Sequence, residues 1–126
     1  MGLVYTEVTF QNPRFPELMP VRTQALADTS SVHLCVPEHV AIQLKLEKYD
    51  EKEVTIADGS KRIVPYMGPI KMTFKNRTGL FGALVFGNEV LIGAIPMEDM
   101  DLVVTPKDRR LDINPESPNI ACSSVK

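Results

Sequence analysis

Leu26-Ala27-Asp28-Thr29-Ser30-Ser31 is the stretch that decides how this chain is read, and Val90-Leu91-Ile92-Gly93 answers it far downstream. The first is an apolar run of strand type that stops at an acid, a hydroxyl residue and two small residues. The second is an apolar run that ends in glycine. A carboxylate delivered by a strand into a tight polar loop is a candidate for acid/base chemistry. Its bland alternative is a polar turn in which Asp28 accepts hydrogen bonds from the backbone just ahead of it.

Outward from these two stretches the chain reads as short strands. Its 126 residues suit one domain. Leu3 to Phe10 alternates, with Val4, Thr6, Val8 and Phe10 on one face, and Asn12 to Pro16 is a loop. Val21 to Ala27 is the strand that delivers Asp28. Pro37 to Leu44 is the best helix candidate, with proline in the first turn and Val40, Ala41 and Leu44 on one face. Asp58-Gly59 between the alternating segments Glu53 to Ala57 and Ser60 to Val64 signals a hairpin. Ile70 to Phe74, Leu80 to Phe86 and Val90 to Ile92 are further strands. Met97 to Asp101 fits one helical turn after Pro96, and Leu102 to Ile113 folds back on itself around Thr105-Pro106-Lys107-Asp108. After Asn114 the composition turns to Pro, Ser and Asn, so residues 116–126 are expected to form a loose tail behind a domain over 1–115. About eight short strands with one or two short helices predict an all-β small barrel.

Composition excludes several classes. Hydrophobic residues make up 44% and charged residues 24%, an ordinary globular balance. A net charge of −2 with scattered basic residues gives no footprint for nucleic acid. No apolar run approaches the ~20 residues that span a bilayer, and no secretory signal is visible, so the cytoplasm is the expected location. Cys35 and Cys122 are too few and too far apart for a disulfide framework and are expected as free thiols.

Together the two opening stretches resemble the signatures of retropepsin-like aspartic proteases: Asp-Thr/Ser-Gly-Ala/Ser, then two hydrophobic residues and a glycine. The resemblance covers roughly Tyr5 to Pro115. The order of strand, acid loop, helix, hairpin and glycine-ended strand carries it more than either motif. It implies a small closed acid-protease barrel in which Asp28 is the catalytic aspartate. Thr29 reaches across to a partner's loop, and Ser30 and Ser31 complete the support. Ala57, Asp58, Gly59 and Ser60 form the flap, a hairpin that closes over substrate. Leu91, Ile92 and Gly93 pack beneath the acid loop, and Ala94 to Met100 forms the family's short helix. The implied partners are a second copy of the chain and a peptide or protein substrate in extended conformation, with no nucleic acid and no membrane. No metal or organic cofactor is implied.

Peptide hydrolysis of this kind needs two carboxylates sharing one proton across a water. Asp28 is the only aspartate followed by Thr or Ser, so the second carboxylate has to be Asp28 of another copy related by a two-fold axis. Ser30 departs from the family, which has glycine there. Serine keeps the backbone N–H, but it adds a Cβ and a hydroxyl where two loops crowd and where glycine tolerates positive φ. On that ground Ser30→Gly is expected to speed cleavage. The competing class is a catalytically weak or inactive peptide-binding scaffold on the same fold. Weaker alternatives are a regulatory thiol at Cys35, zinc at His33, Cys35 and His39, a Ser30 or Ser31 hydrolase with His33, and calcium at Glu98, Asp99 and Asp101.

Overall fold

The computed structural model describes residues 3–105 and 107–125, and Pro106, expected in the last hairpin, lies outside them. The chain is mostly β. Strands β1 (Val4–Gln11) and β2 (Val21–Ala27) form an antiparallel hairpin, in register from Val4 opposite Ala27 to Phe10 opposite Val21. The expected alternation holds in β1: Val4, Val8 and Phe10 are buried while Tyr5 and Glu7 are exposed. Asn12, at the end of β1, is buried because its Nδ2 donates to the Leu44 carbonyl at 2.8 Å, pinning the following loop to the first helix.

Strand β3 (Leu34–Val36) leads into α1 (Glu38–Gln43), with Pro37 at the N-cap and Val40, Ala41 and Leu44 buried as the sequence predicts. A long hairpin comes next, β4 (Glu47–Thr55) and β5 (Lys61–Phe74), then β6 (Arg77–Val85) and β7 (Val90–Ile92). The principal sheet runs β1-β2-β7-β3-β6-β5-β4. Thr9 to Gln11 of β1 also pair with Lys71 to Thr73 of β5, so six strands close into a barrel and β4 is left as an outer strand on β5. Phe10, Leu34, Val36, Ile70, Met72 and Ile92 fill its interior. No helix among the described residues is long and apolar enough to cross a membrane.

Several strands differ from expectation: β3 falls where the sequence assigns none, and β6 starts at Arg77, three residues before the expected Leu80. β5 is one strand of 14 residues, where the sequence suggests two short ones interrupted by Pro65 and Pro69. A register shift between Met67 and Ile70 absorbs the second proline, the kind of site at which a missing ladder donor is tolerated. β4 begins at Glu47, six residues before the alternation that marks the hairpin. Glu47 to Glu51 are all exposed, so this length of outer strand carries no burial pattern to read.

The second helix, α2 (Ala94–Asp99), starts directly after Gly93, three residues earlier than the helical turn placed after Pro96. Proline in a first turn loses no intrahelical bond, which explains the shift. β8 (Leu102–Thr105) and β9 (Arg110–Ile113) make a separate two-stranded sheet whose Leu102 and Leu111 join the core.

The segment after Asn114 forms no helix or strand among the described residues, and a few hydrogen bonds join it to the barrel. Asp101, at φ 56, accepts bonds from Asn114 Nδ2 at 3.1 Å, Ser117 Oγ and the Cys122 N–H at 2.9 Å. Arg77 is 2% exposed, lies 3.8 Å from Asp101 and donates to the Ser117 carbonyl. Its Nε and Nη1 have no protein partner among the described residues.

Candidate active site

β2 ends at Ala27, and its parallel neighbour β7 fixes the start of the acid loop: Ala25, Leu26 and Ala27 lie opposite Val90, Leu91 and Ile92. The Asp28 N–H continues that ladder by donating to the Ile92 carbonyl at 2.9 Å. Beyond Ile92 the chain turns under the acid loop. The N–H groups of Gly93, Ala94 and Ile95 donate to the carbonyls of His33, Ser31 and Val32 at 3.1, 2.8 and 2.8 Å. A Cβ on Gly93 would stand 2.5 Å from the His33 oxygen and 2.7 Å from that of Ser31. Glycine is required there because two backbones pass in contact, which is the physical content of the glycine-ended stretch.

Within the loop, Asp28 is half-buried while Thr29 and Ser30 are exposed. Ser30 donates twice to Asp28 Oδ1, from its N–H at 2.9 Å and from its hydroxyl at 2.6 Å. The Ser31 N–H closes the turn on the Asp28 carbonyl at 3.1 Å. Ser30 is not among the residues at positive φ, which outside glycine are Lys45, Lys75, Asp101 and Arg109 among those described. The backbone strain expected of serine at this position is therefore absent from the single chain, and the side chain is a hydrogen-bond donor instead.

Asp28 opens on a cavity of about 550 Å³. Ser30, Ser31 and Val32 line it from the acid loop, His33 and Cys35 from the β3 segment, and Leu91 from β7. Val54 to Ala57, the rising arm of the long hairpin, close one side, and Leu84 and Phe86 close another. The structure thus gathers Asp28, Ser30, Ser31, Ala57 and Leu91 around one space. Thr29 stands outside the lining, Ile92 and Gly93 lie beneath the loop, and Asp58, Gly59 and Ser60 form the hairpin tip beyond it. At that tip Gly59 sits at φ 88, and Ser60 holds the Asp58 carboxyl below its usual range, through its hydroxyl first and its N–H second.

Sequence reasoning does not assign Val32, Val54, Ile56, Leu84 and Phe86 to the site. Alternation along β4 and β6, continued one residue past each, is the available signal for Val54 with Ile56 and for Leu84 with Phe86; Val32, in the acid loop, has none.

The other constellations come apart. Among the described residues no three His, Cys, Asp or Glu side chains are grouped to hold a metal. His39 is exposed on α1, away from His33 and Cys35 in the cavity wall. Asp101 is committed to holding the tail segment, and its three hydrogen bonds, with Ser117 contributing most, keep its carboxyl below the usual range. Cys35 and Cys122 are unbonded, as expected. Burial pushes the Cys35 thiol up, which disfavours the thiolate a reactive cysteine needs.

No protein-family model matches this chain, and no curated protein matches it either.

Proposed function

We propose that two copies of this chain form an aspartic endopeptidase of retropepsin type, each contributing Asp28. The observation that carries this reading is a half-buried aspartate lining a cleft that the long hairpin borders, on a loop locked to β7 through Gly93. Ser30 occupies Oδ1 twice, while no donor among the described residues reaches Oδ2. That oxygen is available to a water or to the partner's carboxylate. One ionised Asp28 takes a proton from water as the oxygen attacks the peptide carbonyl carbon. The protonated Asp28 of the other copy gives its proton to the carbonyl oxygen. Collapse of the resulting diol breaks the C–N bond, with a proton delivered to the leaving nitrogen. On this reading Thr29, exposed in the acid loop, braces the partner's loop. The substrate is a peptide in extended form, bound through its main chain, with apolar side chains suited to the walls formed by Val54, Ile56, Leu84 and Phe86. Two unbonded cysteines fit the reducing cytoplasm as the location.

A second reading, a peptide-binding scaffold without catalysis, draws support from Asp58. Ser60 grips that exposed carboxylate with the same two bonds, so the grip by itself is no sign of catalysis. The two are separated by assaying a broad peptide library across pH with the parent chain and with Asp28→Asn. The proposal expects cleavage by the parent and none by the variant. Equal activity in both assigns cleavage elsewhere, and binding without cleavage in either makes the chain a scaffold.

A further inference from the structure

Beside the cleft lies a smaller cavity of about 280 Å³ that shares His33 with it as a common wall. Four elements bring polar groups to this space: His33 before β3, Lys52 on β4, Tyr66 on β5 and Asp99 at the end of α2. Gly82 makes room, since the Tyr66 ring lies where a Cβ on Gly82 would project. The Lys52 ammonium stands 5.0 Å from the centre of the Tyr66 ring, and His33 meets that ring edge-on at 6.3 Å. Burial, then the Lys52 charge, lowers the His33 pKa from its ordinary value of about 6.5, so its ring is neutral at neutral pH. Neither Lys52 nor Asp99 joins an ion pair among the described residues. The cavity therefore carries a cation resting on an aromatic face and a carboxylate, neither held in an ion pair among the described residues.

β4 connects the two spaces. Lys52 and Val54 of β4, and Ile56 just past its end, alternate onto one half-buried face; Val54 and Ile56 line the cleft, and Lys52 lines the smaller cavity. β4 is also the outer strand of the sheet, the natural side for an extended ligand to lie against. Such a ligand repeats its same-face side chains every ~6.8 Å, matching the step from Val54 to Lys52.

Resting on the peptide-binding reading above, we propose that the smaller cavity selects a carboxamide side chain, Gln or Asn, two residues along the peptide from the apolar side chain in the main cleft. The carboxamide oxygen accepts from Lys52, and its NH2 donates to Asp99. Being neutral, it brings no charge that either residue repels. A carboxylate there meets Asp99, an ammonium meets Lys52, and an aliphatic chain offers a hydrogen bond to neither.

The test is a position-scanning peptide library on the full-length protein, with cleavage rates read for Gln, Asn, Glu, Lys and Leu at each position. One position, two residues from the apolar one, should favour Gln and Asn by about tenfold over the others. Lys52→Met should move that preference toward Lys, and Asp99→Asn should move it toward Glu. A flat profile at every such position, or a preference that neither variant moves, overturns the proposal. Fluorescence anisotropy of the same peptides on Asp28→Asn protein separates this idea from the proteolytic one. Carboxamide selectivity in binding without cleavage by the parent keeps the pocket and removes the protease. Cleavage without selectivity removes the pocket alone, and neither binding nor cleavage of any peptide overturns both.

Discussion

The loop carrying Asp28 and the hairpin tip carrying Asp58 hold their carboxylates in the same way. In each, the serine two residues on donates its N–H and its hydroxyl to one carboxylate oxygen, at 2.9 and 2.6 Å from Ser30 and at 2.8 and 2.6 Å from Ser60. The difference between them comes from elsewhere in the chain. Asp58 stands exposed in solvent, next to a glycine whose Cβ position is open for 4 Å around. Asp28 is half-buried at a cleft, over a glycine whose Cβ position is blocked by the backbone of Ser31, Val32 and His33. The shared Asp-x-Ser turn is local chemistry available to any tip. The cleft and the close backbone approach are what make one of the two a candidate for catalysis.

The sharpest way to break this contrast is to neutralise each carboxylate. Asp28→Asn should lower the rate of peptide cleavage by at least about a hundredfold, whereas Asp58→Asn should leave it within about twofold, because a tip bond is cheaply replaced by water. Steady-state kinetics on a single peptide decides it, and comparable losses in both variants would erase the distinction.

The two glycines come next. Gly93→Ala forces backbone apart beneath the acid loop and should cost about 3 kcal/mol or more in urea unfolding. Gly59→Ala meets no neighbours and is penalised only for its positive φ, about 1–2 kcal/mol. Equal costs would mean that the approach under Asp28 is not tight.

The serines give a smaller effect and reverse the sequence-based expectation. Crowding between loops predicts a faster Ser30→Gly variant. With no positive φ at Ser30 and its hydroxyl on Asp28, the substitution removes a bond of about 1 kcal/mol and should slow cleavage about fivefold. Ser60→Gly should leave the rate unchanged. A rate gain in Ser30→Gly would restore the steric account.

The smallest effect is seen in acid. Asp58 and Asp101 both sit below the usual carboxylate range, so any stability they give is present above about pH 4 and is lost as pH falls through their lower folded values. Asp58 owes its shift to a neighbour two residues away, a bond that partly survives unfolding. Asp101 owes its shift to Ser117, Cys122 and Asn114, which are far along the chain. Hydrogen exchange at the Cys122 amide should therefore lose protection on acidification, and Asp101→Asn should lose it at neutral pH. The Ser60 amide should change little in a folded chain above pH 4.

Much of the barrel is legible in the sequence because its strands announce themselves twice, by alternation and by their turns. β2 and β7 carry their expected bounds, and α1 buries Val40, Ala41 and Leu44 as its spacing requires. The first half of β4 is not legible, since an outer strand with both faces in water leaves no hydrophobic period. The unity of β5 is hidden by prolines that a register shift accommodates. The clasp of Arg77 and Asp101 on the tail joins residues 40 positions apart at one of its bonds, and a sequence without a partner pattern cannot announce such a pair. At the site, Asp28 and the flanking motifs stand out. The hydrophobic walls do not, because Leu84 and Phe86 read equally well as ordinary strand residues.

The central claim is that each chain supplies half of one catalytic pair, and mixing tests it most directly. Increasing amounts of Asp28→Asn protein are added to a fixed amount of parent chain under conditions of subunit exchange, and the cleavage rate is followed. If two Asp28 carboxylates act together, mixed dimers are inactive, and an equimolar mixture should retain about half the parent's rate, falling further with excess variant. A rate that stays constant as the variant is added, or a parent chain that cleaves nothing before mixing, would contradict the account.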